Sequence, residues 1–234
     1  MKRRPELPFA PKRVPIFYGW IILVTGTIGT LMSVPGQTVG VSVFTDFLIV
    51  DLGLTRTQLS LAYLFGTIGS AFILSTAGKA YDRYGARTVG ATVAFFLGVV
   101  LLVLSRSPAI VATLQRGVPG VPAVIPAFVF ITVGFFLLRF LGQGVLTLTA
   151  RNMVMKWFEE RRGLANAFLS IGISFGFSYA PLFLNSLIET HGWQGSWARL
   201  GIGIGGLFVV LFLVLARDNP EQCDLKPDGN LPPR

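Results

Sequence analysis

Residues 14–45 contain no charged side chain, and the same holds for 57–78, 88–105, 117–138 continuing at 140–150, 163–188 and 200–216. A helix crosses the hydrocarbon core of a bilayer with about 17–25 mainly apolar residues. Each stretch meets or nearly meets that length. Barrel strands would alternate over about ten residues, whereas these runs are apolar on every side. The pattern predicts an all-α membrane protein with six transmembrane helices, at about 17–42, 57–77, 88–106, 125–149, 163–187 and 197–216. Residues 1–16 then form an N-terminal tail, and 217–234, polar and rich in Pro, form a tail or flexible linker.

The net charge of +9 invites a nucleic-acid reading, but its placement argues against one. Fifteen of the 20 Lys and Arg fall in the N-terminal segment, the connections after the second and fourth spans, and the C-terminal tail. Arg56, Arg106, Arg116 and Arg199 fall on the other side, and Arg139 lies inside a span. By the positive-inside rule both termini are expected in the cytoplasm. The first run is too long for a signal peptide and lacks a cleavage site. Cys223 stands alone, so no internal disulfide forms. The segment 107–123, with three Pro and two Gly, reads as an irregular outer connection. HGWQGSW, 191–197, reads as a Trp-flanked outer turn.

Four spans carry a polar or small stripe at helical spacing. These are Gly26, Thr30, Ser33, Gln37 and Gly40; Tyr63, Thr67 and Ser70; Arg139, Gln143, Thr147 and Arg151; and Asn166, Ser170, Ser174 and Ser178. Such stripes serve either as packing seams or as the wall of a polar cavity. Spans three and six lack a stripe, which favours a cavity among spans one, two, four and five with three and six toward lipid. A shift of 106 residues places Gly36, Gln37, Val39, Arg56 and Gly66 on Gly142, Gln143, Val145, Arg162 and Gly172, as a three-plus-three inverted repeat would.

Arg139 lies about 18 Å along the helix axis from Arg151 at 1.5 Å per residue. A charge at that depth is costly and marks a functional site by default. The alternative is a structural Arg satisfied by carbonyls and hydroxyls of neighbouring helices.

The segment GKAYDRYGAR, 78–87, matches G-x-x-x-D-R-x-G-x-R through Gly78, Asp82, Arg83, Gly85 and Arg87. It resembles the signature loop between the second and third helices of the major facilitator superfamily. RFLGQG, 139–144, resembles the fourth-helix signature of the same superfamily. KWFEERRGLANAF, RDNPEQCDLKPDG, GQTVGVSVF and DLGLTRTQLSLAY are similar to the oxalate/formate and monocarboxylate-type branch. The resemblance covers the chain as the N-terminal half of a twelve-helix transporter. It implies alternating-access transport of a small organic anion such as a monocarboxylate, with a coupled proton as an option, in a bacterial inner membrane. Arg139, Gln143, Gln37, Tyr63, Thr67 and Asn166 are then substrate-binding candidates. Gly78, Asp82, Arg83, Gly85 and Arg87 form a gating loop. The expected partners are the substrate, the bilayer and a second six-helix half, supplied by a missing C-terminal half, a separate chain or a homodimer. The competing class is a non-transporting six-helix scaffold or partner subunit.

Other motifs fail on context. GISFG, 172–176, fits a nucleophile elbow but lies mid-span, and the one His, His191, is about 25 Å away at helical rise. GIGIGG, 201–206, follows no strand, so it is not a dinucleotide fingerprint. AGKAY lacks the Ser or Thr of a phosphate loop. No cofactor, metal cluster or enzymatic site is expected.

Overall fold

The structure, a computed structural model, describes residues 8–229. Lys2, Arg3 and Arg4 of the basic N-terminal tail, and residues 230–234, lie outside it. Among the described residues the regular structure is helical: α1 (Gly19–Leu31), α2 (Thr38–Leu52), α3 (Arg56–Leu104), α4 (Ser107–Gly117), α5 (Val124–Leu138), α6 (Thr147–Trp157), α7 (Arg162–Ile202) and α8 (Val209–Leu215). Two π-helical segments, Arg139–Leu146 and Gly203–Phe208, join α5 to α6 and α7 to α8. Four continuous stretches are long and apolar enough to cross a membrane: Gly19–Leu52, Arg56–Leu104, Val124–Trp157 and Arg162–Leu215.

A straight helix as long as α3 would run to about 74 Å at 1.5 Å per residue, more than twice the ~30 Å hydrocarbon core. One residue interrupts it: Gly85, at φ 74° and ψ 166°. Gly192 interrupts α7 with φ 69° and ψ 164°. Only glycine takes such angles without a steric penalty. Arg56 and Arg162 both open their helices, so starts and interruptions lie about one repeat length apart.

Local chemistry sets several boundaries. Thr55 Oγ1 accepts the Gln58 N–H while Gln58 Oε1 accepts the Thr55 N–H, a reciprocal cap at the start of α3. Gly53, left-handed at φ 63°, ends α2. The first span is broken where the sequence suggested one helix over 17–42. Pro35 lacks an N–H and ends α1, a 3-10 turn covers Val34–Gly36, and α2 then runs on to Leu52. The connection over 107–123, expected to be irregular, is helical in its first part. Pro108 sits in the first turn of α4, where its missing N–H costs nothing, and the apolar run after it is helical to Gly117.

Lipid offers no hydrophobic drive between helices, so close backbone approach at small residues holds them together. Gly26 faces Ala150 and Val154, joining α1 to α6. Gly172 and Gly176 face Thr27 and Leu31, joining α7 to α1. A Cβ on Gly98 of α3 would lie 2.6 Å from the Gly201 carbonyl oxygen and 2.7 Å from the Gly205 N. The glycines of GIGIGG thus make a crossing between the segments read as spans three and six, while Phe95, Phe96, Leu207 and Val210 remain exposed. The stripe of the first span is a buried seam at Gly26, Thr30, Ser33 and Gly40, whereas Asn166, Ser170, Ser174 and Ser178 are all exposed.

The segment 217–229, expected to be a flexible linker, is instead folded against the bundle. Arg217 is fully buried and donates to the carbonyls of Val214, Ala216 and Phe9. Trp157 Nε1 donates to the Arg217 carbonyl at 3.3 Å. Asp228 Oδ2 accepts the N–H groups of Glu159 and Glu160 at 2.9 and 2.8 Å. Arg217, Asp218 and Asp228 are thus spent on backbone groups of the bundle, while Glu221, Gln222 and Lys226 stay exposed.

Candidate functional site

The break between α1 and α2 faces the π segment Arg139–Leu146. The two irregular stretches meet at glycine: a Cβ on Gly142 would lie 3.0 Å from Gly36 Cα and 3.1 Å from the Ser33 carbonyl oxygen. A Cβ on Gly36 would strike the Leu138 carbonyl oxygen, one residue before Arg139. These are the two glycines that the 106-residue shift superposes.

Arg139 is nine-tenths buried. Its guanidinium carbon lies 5.1 Å from the Tyr63 ring centroid, and one terminal nitrogen donates to Thr38 Oγ1 at 3.3 Å. Tyr63 Oη and Thr38 Oγ1 are 2.8 Å apart, which closes a triangle. Phe135 meets the Tyr63 ring edge-on at 5.5 Å. Among the described residues Arg139 makes no ion pair. A guanidinium has five N–H donors, so most of its capacity is uncommitted. Thr38 and Tyr63 also line a cavity of about 170 Å³ with Ser42, Thr45, Ser60 and Phe135. An Arg held this way can accept a carboxylate in two parallel hydrogen bonds.

The sequence candidates divide. Arg139 and Tyr63 are brought together. Gln37 is adjacent but committed to packing: its amide nitrogen donates to Ser33 Oγ at 3.0 Å and Thr147 Oγ1 at 3.3 Å, cross-linking the break to α6. Thr67 donates to the Tyr63 carbonyl of its own helix at 2.8 Å. Gln143 and Asn166 are exposed and lie outside the Arg139 triangle. Thr38 was missed, because the helical count through the first span ignores the Pro35–Gly36 break that rephases it. That Pro-Gly pair was the available signal.

In the 78–87 loop, Gly85 supplies the left-handed turn and Gly78 has open space where a Cβ would be. Asp82 is exposed. Arg83 lies over the Tyr84 ring at 5.3 Å. Arg87 is tied to the C-terminal segment: its N–H donates to Asp218 Oδ1 at 2.8 Å and its Nε to the Leu213 carbonyl at 2.7 Å. Asp218 thus caps the helix that restarts after Gly85. Lys156, 4.7 Å from the Tyr81 ring centroid, ties the other side of the loop to α6.

Several relatives of this chain carry transporter names. The MFS-type transporter YhjX of Escherichia coli (strain K12) is 28% identical over 87% of this chain and 45% of the relative. The hexuronate transporter of Bacillus subtilis (strain 168) is 25% identical over 77% of this chain and 38% of the relative. Monocarboxylate transporter 6 of Mus musculus is 33% identical over 41% of this chain and 22% of the relative. The chain therefore spans less than half the length of these curated relatives. No solved structure matches it significantly. The family model described as Major Facilitator Superfamily matches residues 10–232, from the first 3-10 turn through the folded C-terminal segment. With its apolar helices, broken spans and buried arginine all inside that match, the chain belongs to the major facilitator superfamily.

Proposed function

We propose that the chain is the N-terminal half of a secondary transporter that moves a small organic anion, such as a monocarboxylate, by alternating access. The observation that carries this reading is Arg139, buried in an apolar helix, without an acidic partner among the described residues, and in contact with Thr38 and Tyr63, which line a cavity. A positive charge at that depth costs several kcal/mol, and an anionic substrate offsets it. Two relatives are named for anions, a hexuronate and a monocarboxylate. Tyr63 and Thr38 hold the guanidinium in place, so the carboxylate meets an oriented donor rather than a mobile one.

The chain crosses the membrane six times in this reading, with reversals at Gly85 and Gly192 and both termini in the cytoplasm. The near-equal separation of Arg56 from Arg162 and of Gly85 from Gly192 supports a three-plus-three repeat. A second six-helix half completes the site, and the exposed Asn166–Ser178 stripe faces it. The 78–87 loop gates by making or breaking contacts of Asp82 with that half.

The test is uptake of radiolabelled lactate and galacturonate by cells expressing the complete coding region, with Arg139→Ala, Arg139→Lys and Ser178→Ala. Loss of two charge-assisted hydrogen bonds, each about 1.5–3 kcal/mol, lowers apparent affinity at least tenfold in Arg139→Ala. Arg139→Lys recovers part of it and Ser178→Ala transports normally. Uptake indifferent to Arg139→Ala would sink the reading. Loss of complex assembly in Gly172→Leu or Gly176→Leu alongside that indifference points to a scaffold.

A further inference from the structure

A second cavity, of about 260 Å³, shares no lining residue with the one beside Tyr63 and Thr38. Its walls come from both sides of the Gly85 turn, through Thr76, Tyr84, Thr88 and Thr92, and from the π segment, through Phe140 and Val145. Val89, Val93, Phe140 and Val145 make most of the remaining wall apolar, so its depth suits hydrocarbon better than water, which needs two to four polar partners. Its space corresponds to about nine units of the ~30 Å³ a water occupies in the liquid, close to what the same number of methylenes fills. The groove therefore suits part of one acyl chain.

The mouth is basic. Tyr84 forms part of the wall and is half exposed, and Arg83 lies over its ring at 5.3 Å. Lys79 is exposed four residues before Arg83, on the same helical face. Asp82 is the one acid among them, which leaves a positive balance. Thr88 and Thr92 add free hydroxyls. Thr25, Thr27, Thr30, Thr67, Thr76, Thr113 and Thr132 each return their hydroxyl to a carbonyl of their own helix. Among the described residues the hydroxyls of Thr88 and Thr92 make no hydrogen bond. In hydrocarbon a hydroxyl without a partner is costly, and a glycerol ester or phosphodiester oxygen supplies one.

We propose that this groove is a site for an anionic phospholipid, with one acyl chain along Phe140 and Val145 and the phosphodiester held by Lys79 and Arg83. The ligand class follows from the pairing of an apolar slot with a cationic, hydroxyl-lined rim. The site lies beside the Gly85 turn, so an occupied groove braces the two parts of α3 against the π segment. It goes beyond the transport reading and does not need it.

The test is native mass spectrometry of the full chain released from detergent after titration with palmitoyl-oleoyl phosphatidylglycerol, the phosphatidylcholine of the same chains, or glycerol 3-phosphate. The expected result is one phosphatidylglycerol retained in preference to phosphatidylcholine, with glycerol 3-phosphate not retained. Two basic residues at an anionic headgroup are worth about 30-fold in affinity, so Lys79→Gln with Arg83→Gln lowers retention by about that factor. Thr92→Trp fills the slot and abolishes retention, while Arg151→Gln, which removes an exposed charge elsewhere, leaves it unchanged. Equal retention of phosphatidylcholine, retention of glycerol 3-phosphate, or an Arg151→Gln effect equal to that of the double variant overturns the proposal. The double variant changes only exposed side chains, so its result stands if Thr92→Trp fails to fold. The readout uses neither transport nor orientation, so failure here leaves the anion-transport reading untouched, and the reverse also holds.

Discussion

Replacing Asp228 with Asn is the sharpest test of how the C-terminal segment is held. The Asp228 carboxylate takes two backbone N–H groups, from Glu159 and Glu160, at 2.9 and 2.8 Å, and its own N–H donates to the Trp157 carbonyl at 3.1 Å. The residue is 7% exposed, so water does not compete for these bonds. It sits at φ 58°, in the left-handed region. Asn tolerates that region nearly as well as Asp, so the substitution isolates the charge. A hydrogen bond to an ionised acceptor is about twice as strong as a neutral one. Removing the charge from two bonds of about 1.5–3 kcal/mol each costs about 2 kcal/mol. Asp228→Ala removes both bonds and adds about 1 kcal/mol of backbone strain, for a total of about 4 kcal/mol. Hydrogen–deuterium exchange of peptides covering 156–162 in detergent reads this directly. Local opening rises about 30-fold in Asp228→Asn and by nearly three orders of magnitude in Asp228→Ala, at 1.4 kcal/mol per tenfold. Exchange within twofold of the parent in both variants would refute the argument that this carboxylate fastens the tail to the loop.

Other expectations follow from the same structure. Gly98→Leu forces the Gly201 and Gly205 backbones apart and lowers thermal stability by about 3 kcal/mol. Gly203→Ala, with open space at its Cβ, is neutral within about 0.5 kcal/mol in the same melt. Trp193→Phe removes a 2.8 Å hydrogen bond from the indole N–H to Asp51 and costs about 1 kcal/mol, and Asp51→Asn costs less. Burial pushes the Cys223 thiol up to about 11, against the opposing pull of Arg217. The thiolate is the reactive form, so maleimide labelling at pH 8 runs about two orders of magnitude slower than at an exposed thiol and accelerates through pH 10–11. Labelling as fast as a free thiol at pH 8 would mean that the tail does not cover it.

The membrane character, the main apolar stretches and the burial of Arg139 were legible because they rest on one-dimensional properties: uncharged length, and a charge within an apolar run. Tyr63 was legible from its place on a polar stripe. Thr38 was not, because a stripe counted at constant pitch assumes an unbroken helix, and Pro35 and Gly36 reset the phase. The tail was misread for a different reason. Arg217, Asp218 and Asp228 look solvated in sequence, but each is neutralised or hydrogen-bonded by something more than 60 residues away. Composition carries no record of such pairing. Gly85 stood out within its motif, whereas Gly192, with nearly the same backbone angles, has no comparable neighbours.

The meeting of Gly36 with Gly142 has a mechanical meaning. A joint made of side chains has give, because a rotamer can swing aside for well under the cost of moving a helix. Here main chain rests on main chain, with no interposed atom to deform. Such a joint is stiff in compression. A displacement of Arg139 is not absorbed locally, since the carbonyl just before it already bears on Gly36. The load passes into both spans at once, and the bundle responds as a lever rather than as a spring.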